Sequence, residues 1–546
     1  MFPRIWGNSN PSPEKNGLLE ENGCGKFSDI NEKNLEYLKW LGCSHIWYTG
    51  IIRHSTKTSA MGCTPSNPQF VKGEAGSSFA ICDYYDVNPY LADIPENRID
   101  EFKSLIKRTH NAGLKVVIDF IPNHVSRDYG KVHPISGHPV LGENDDKSVH
   151  YSPDNDFYYY PGKTLKLPVP VEDGRDEYHE FPAMVSGNNC FSAEPCVTDW
   201  YETVKINYGD THTPTWDKML DVVLYWAAMG VDGFRCDMVE LVPKPFMKWL
   251  IEKVKAEYPD IIFIAEVYDK DQYAQYVRYV GFDLLYDKSG LYDTLHTIVE
   301  KGVSDDGMPV ELWQSAMGIT RNWQYLGDLQ PYMLNFLENH DEKRYASPYF
   351  GHSAKNTIAP LYVSLMLNTS AFMIYYGEEV GEDGMDDAGF SSADGRSTIF
   401  DWWSFPSIIR LRKVIESGEY KSLDPARLTK AGMTSDEAEV FVQFARAIRF
   451  AASDLAIGKG TTYDLCYCNF SSDGFDKNRH FAFLRDYEEH TLLIAVNFSL
   501  STANMKISIP KHAFEWMEIS QTDSFNEKTL IEVTVPPFGG TIITIV

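Results

Sequence analysis

The chain is poor in positive charge, in paired cysteine motifs and in long apolar runs. Its 50 Lys and Arg face 77 Asp and Glu, a net charge of -27. A surface so acidic repels phosphate backbones and anionic bilayers, which argues against nucleic acid and membrane surfaces as partners. The nine cysteines (24, 43, 63, 82, 190, 196, 236, 466 and 468) are odd in number and form no pair of CxxC motifs. Neither a disulfide framework nor a structural zinc is therefore expected. Cys466 and Cys468 read as sharing one face of one strand. Free cysteines suit a reducing compartment, so a cytoplasmic protein is expected, periplasmic or secreted being the alternative if a leader has been removed. Met1–Gly7 shows no basic region followed by an apolar one. The most apolar window, Thr357 to Tyr376, is broken by Pro360, Asn368, Thr369 and Ser370. It reads as a core helix followed by a strand rather than a membrane span.

What is present is ample material for a core. Hydrophobic residues make up 43% and aromatics 14% of 546 residues, too long a chain for one ordinary compact domain. Helical and apolar extended patterns alternate: a helix over Asn31 to Leu41, a strand over Ser44 to Ile51, a helix over Asp100 to Ala112, a strand over Lys115 to Phe120. Cys82 to Tyr90, with its acids and Pro89, reads as a loop. From Val125 to Asp210 no period persists. The alternation then resumes with helices over Trp216 to Met229 and Pro245 to Glu257, and strands over Val231 to Asp237, Ile261 to Ala265, Phe282 to Tyr286, Tyr332 to Leu337 and Ala371 to Tyr376. About eight strands alternating with helices close as a parallel (β/α)8 TIM barrel, an α/β fold. Beyond Ala456 come short strands over Thr491 to Phe498, Lys506 to Ile509, Glu532 to Val535 and Thr541 to Val546. The expected organisation is a barrel from 1–124 and 211–458, a loop-rich inserted domain at 125–210 after the third strand, and a C-terminal β-sandwich at 459–546.

The stretch that organises the rest is Val231–Asp237. In an extended strand Arg235 and Asp237 share a face, so a guanidinium sits beside a carboxylate and favours its ionised form. Alone, such a strand end is as readily a structural ion pair as a catalytic one. Two further acids, Glu266 and Asp341, also end strands, the barrel face that carries chemistry. Two carboxylates flanking one bond are the minimum for glycoside hydrolysis. The apolar run Ile261–Ala265 before Glu266 should raise its pKa and keep it protonated as the acid, splitting roles by environment.

Asp119-Phe120-Ile121-Pro122-Asn123-His124, Gly233-Phe234-Arg235-Cys236-Asp237, Ile264-Ala265-Glu266-Val267 and Leu337-Glu338-Asn339-His340-Asp341 resemble, in order, the sequence regions of the α-amylase family of glycoside hydrolases. Lys205-Ile206-Asn207-Tyr208-Gly209 resembles an additional region of that family, within its inserted domain. The resemblance implies Asp237 as nucleophile, Glu266 as general acid and base, and Asp341 as a carboxylate that holds sugar hydroxyls. It implies that Arg235 orients Asp237, that Asp119 fixes Arg235, that His124 and His340 bond the sugar being cleaved, and that Tyr85 stacks on it. The expected substrate is an α-glucan oligosaccharide, cleaved with retention, most plausibly at α-1,4 bonds. No cofactor is expected to be required. Asn123 matches a calcium ligand of the family, but Glu240 and Leu241 replace a Lys-His pair that supplies another, which puts that ion and extended-starch subsites in doubt. Met238, after the nucleophile, does not reveal linkage. The same carboxylates would serve a 4-α-glucanotransferase or maltosyltransferase, and an inactive carbohydrate-binding barrel is the reading from another class. Oligomeric state is not legible.

Overall fold

The computed structural model describes residues 1–172, 174–304, 315–519 and 528–545. Its centre is a parallel sheet of seven strands, here β1 (His45–Tyr48), β2 (Lys115–Phe120), β3 (Gly233–Cys236), β4 (Ile262–Ala265), β5 (Leu284–Tyr286), β6 (Met333–Phe336) and β7 (Ala371–Met373), hydrogen-bonded in that order. Helices precede the strands, including Glu32–Leu41, Arg98–Asn111, Pro214–Met229, Lys244–Glu257 and Ile358–Met366. The first shows why these segments are helical. Asn31 caps it by accepting from the Lys33 and Asn34 amides, Leu35, Leu38 and Leu41 line its buried face, and Gly42 ends it at φ 115°, which only glycine adopts readily.

The ladder holds seven strands against the expected eight or so. β1 and β7 face each other without pairing, across a cavity of 440 Å³ lined by Ile46, Trp47, Phe372, Ile374, His340 and Ile448. At one end of this seam the Met1 amine donates to the Trp47 carbonyl at 2.7 Å, and the Thr49 amide donates to the Met1 carbonyl at 3.0 Å.

Ile81–Val87, expected as a loop, is a fully buried strand paired antiparallel with Ile52–His54. Its acids misled because they are neutralised internally: Asp86 accepts from Arg53 at 2.9 Å and from Arg98 at 2.6 Å. Cys466 and Cys468 lie in a helical turn, Cys466–Asn469, rather than a strand. Among the described residues of 125–210 the strands are two or three residues long. His124–Ser126 pairs antiparallel with Thr203–Lys205, and Tyr159–Tyr160 with Ala183–Met184.

Toward the C-terminus a long helix, Ser435–Ser453, leads to a four-stranded antiparallel sheet (Thr461–Asp464, His480–Tyr487, His490–Asn497, Gly539–Thr544) and a two-stranded one (Ala503–Pro510, Lys528–Val535). Two of these strands, Thr461–Asp464 and His480–Tyr487, escaped the sequence pattern. Val546, the end of the last expected strand, lies outside the described residues. Among the described residues no helix is long and apolar enough to cross a membrane.

Candidate active site

Register brings the acids together. β2, β3 and β4 are adjacent, with Asp119 opposite Arg235 and Cys236 opposite Ala265, so Asp237 and Glu266 emerge side by side one residue later. The close approach starts at Gly233, where a Cβ would lie 2.6 Å from Ile262 Cγ1. Arg235, fully buried, is the hub. Its Nη1 donates to Asp237 Oδ1 at 2.5 Å, its Nη2 lies 2.9 Å from Glu266 Oε2, and Asp119 Oδ1 is 3.8 Å from Nη1. Three rings cage the guanidinium, Trp47, Phe79 and Tyr286, with centroids 5.4, 5.5 and 5.7 Å away. Without those acids a buried guanidinium would be prohibitively costly, and without it the acids would be.

The environments split the acids differently from the sequence expectation. Glu266 does not sit in an apolar pocket. Its Oε1 accepts from the Tyr268 hydroxyl at 2.8 Å and its Oε2 from the Met238 amide at 2.8 Å. Met238 takes a left-handed conformation, φ 46°, that is strained for a side-chain-bearing residue and turns its N–H onto Glu266. The apolar run before Glu266 describes only its own strand, whereas these donors come from the following loops. Asp237 is the acid whose carboxyl is pushed well above the usual range, by burial first, with Arg235 opposing and the Glu266 charge adding to the rise. One guanidinium is divided among three carboxylates.

Asp341, at the end of β6, is the accessible member, its side chain 46% exposed, with His340 Nε2 3.1 Å from Oδ2. The His340 ring stacks on Phe79 at 4.9 Å and meets the edge of Trp47. Burial, then Arg235, pushes His340 down to about 4. His124 is likewise buried and pushed down to about 3, by burial and then Lys205, so both rings are neutral at ordinary pH. Trp200, from the inserted region, packs on His124 at 5.3 Å.

Tyr85 is corrected. Its hydroxyl donates to Asp221 at 2.9 Å, and its ring stacks on His138 at 3.9 Å and meets the edge of Tyr225, none of which belongs to the acid cluster. The stretch is a strand, so neighbours face opposite ways, and Tyr84 is the residue that feels the Asp237 charge. The aromatics that do join the site are Trp47 and Phe79, each of which meets both Arg235 and His340, with Tyr286 on Arg235. Trp47, Phe79, Tyr268, Tyr286 and Met238 were all missed. Tyr268, two residues past Glu266 and so on the same side of an extended chain, was the one with a readable signal.

The sequence model described as "Alpha amylase, catalytic domain" matches residues 1–444. The chain belongs to the alpha-amylase family. It is an amylase-like enzyme. Similar proteins include a cyclomaltodextrinase from Bacillus sp, 22% identical over 496 residues, 90% of this chain and 68% of that one. Another is an alpha-1,4-glucan:maltose-1-phosphate maltosyltransferase from Cereibacter sphaeroides, 24% identical over 272 residues, 48% of this chain and 36% of that one. The chain spans about half the length, or less, of most of the curated relatives it matches. Among solved structures, the cyclic alpha-maltosyl-(1-->6)-maltose hydrolase from Arthrobacter globiformis aligns with a TM-score of 0.63 at 16% identity, covering 100% of this chain and 97% of that one. The debranching enzyme from Nostoc punctiforme gives 0.61 at 19%, with 100% and 97% covered. At such identities the likeness concerns the fold.

The calcium suggested by the alpha-amylase resemblance does not fit the residues around Asn123. Asn123 Oδ1 accepts from the Lys205 amino group, and the Leu241 carbonyl accepts from the same nitrogen at 2.7 Å. Both oxygens are neutral, and an amine already stands between them, whereas calcium takes six to eight oxygens, carboxylates among them. Among the described residues, one group with the donor types for a metal is Asp83, Asp86 and His133, but Arg53 and Arg98 already hold both Asp86 oxygens.

Proposed function

We propose that this enzyme is a retaining glycosidase acting on α-1,4 bonds of maltooligosaccharides. The observation that carries the reading is the single guanidinium of Arg235 in contact with Asp237 and Glu266 at once, at the ends of adjacent strands. In this reading Asp237 attacks the anomeric carbon while Glu266 gives its proton to the departing glycosidic oxygen. A glycosyl ester forms on Asp237 as the glycosidic bond breaks. Glu266, now a base, takes a proton from water, which attacks the anomeric carbon from the face opposite Asp237, breaks its bond to the Asp237 oxygen and restores the starting configuration. Asp341, His340 and His124 hold sugar hydroxyls, and Asp119 supports Arg235. The substrate class rests on the family and on the names of the relatives above.

A maltosyl- or glucanotransferase uses the same steps with a sugar hydroxyl in place of water, and a maltosyltransferase is among the relatives. Maltoheptaose decides between them. Shortened products released first as the α-anomer, followed by proton NMR, are the expected result, and products longer than the substrate would make it a transferase. Release of the β-anomer, or full turnover by Asp237→Asn, would overturn the mechanism.

A further inference from the structure

Lys205 places an amine in the wall between the inserted region and the barrel, on a strand whose register sets it opposite His124. We propose that Lys205 is a positioning residue that does without metal what a bound cation would do here: it orients Asn123, through it selects the His124 tautomer, and pins the turn that follows Asp237. The chain of donors has one consistent direction. As an ammonium Lys205 can only donate, so the Asn123 atom it meets is the oxygen. The Asn123 Nδ2 then points at the Gly187 carbonyl, 2.8 Å away, and at His124 Nδ1, 3.0 Å away. A flipped amide would set oxygen against the Gly187 oxygen and N–H against the lysine, two repulsions in a buried site. His124 Nδ1 is therefore an acceptor, which leaves the ring hydrogen on Nε2.

The second Lys205 contact, to the Leu241 carbonyl, fixes the turn Val239–Leu241. That turn follows Met238, whose amide holds Glu266. Its Glu240 carboxylate accepts from the Tyr268 and Asp269 amides at 3.1 and 2.9 Å, in the loop after Glu266. One amine thus ties the His124 segment to the segments carrying both acids. Charged or neutral, it retains the two N–H donors these oxygens need.

The kinetic arm of the test rests on the glycosidase reading; the other two do not. Histidine-selective 15N NMR should show His124 protonated on Nε2 alone in the native chain. In Lys205→Met, similar in length but without donors, that signature should give way to mixed tautomers. Turnover should fall about tenfold or more with KM changing less, and Lys205→Arg, which keeps donors, should recover part of both. The native melting temperature should stay within about 1 °C on chelation with EDTA and on addition of calcium chloride, since no ion at Asn123 contributes to it. An unchanged His124 spectrum in Lys205→Met overturns the proposal. So does a chelator-sensitive native melting temperature that Asn123→Ala abolishes. Should Lys205→Met fail to fold, the native tautomer and the chelation result decide, an Nδ1-protonated His124 overturning it.

Discussion

Arg235→Lys isolates the feature on which the site depends, because it keeps the positive charge and removes the fork. In the native site two different nitrogens serve two acids, at 2.5 Å for Asp237 and 2.9 Å for Glu266, with Nε 3.3 Å from the Tyr286 hydroxyl. An ammonium is a single point on a flexible stem and can stay beside one acid only. Losing one charged contact costs about 1.5 to 3 kcal/mol. Because the lost contact orients reacting groups, the loss falls on the transition state, and at 1.36 kcal/mol per decade it lowers kcat/KM about 10- to 150-fold. Initial rates on maltoheptaose measure it, with near-ultraviolet circular dichroism to establish that the aromatic cage of Trp47, Phe79 and Tyr286 persists. Activity within about twofold of the native enzyme, in a folded variant, would refute the idea that the fork positions the acids.

The direction of the Asp237 shift predicts a pH effect. A nucleophile is active when ionised, so activity is present above the raised Asp237 pKa and is lost as pH falls through it; Glu266→Gln, assayed on α-glucosyl fluoride, which needs no protonated leaving group, should move that acid limb to lower pH, because a neighbouring charge that raises Asp237 is gone. An unmoved limb would mean the two acids do not interact. Phe79→Leu should weaken turnover severalfold by removing the ring stacked on His340, whereas Tyr85→Phe, whose hydroxyl serves Asp221, should stay within about twofold; the reverse ranking in steady-state assays would restore Tyr85 to the site. Away from the site, buried Glu382 is pushed up from 4.5 to about 7. An acid raised on folding stabilises fully below its unfolded pKa, and that contribution declines as pH rises from 4.5 through 7, about 3 kcal/mol in all. Glu382→Gln should flatten the denaturant midpoint across that window, and an unchanged slope would show that Glu382 titrates normally.

The barrel strands from β1 to β7 and the helices before β1, β2, β3, β4 and β7 were legible because each carries its own period, and Asp119, Arg235, Asp237, Glu266 and Asp341 because each ends such a segment; the helices before β5 and β6 were not read. Those properties are local, set by alternation along one stretch of backbone. Burial made other residues deceptive. Asp83 and Asp86 marked a loop by composition, yet Arg53 and Arg98 allow a buried strand there, and that strand turns Tyr85 away from the site. The partners of Glu266 come from Met238 and Tyr268, and those of Arg235 from Trp47, Phe79 and Tyr286, scattered from the start of the barrel to its fifth strand. Which residues lie in chemical order along the chain is a property of sequence, but electrostatic energy depends on distances through space. The sharing of one guanidinium among three acids, the neutral histidines and the amine standing beside Asn123 were therefore decided only when the strands came together.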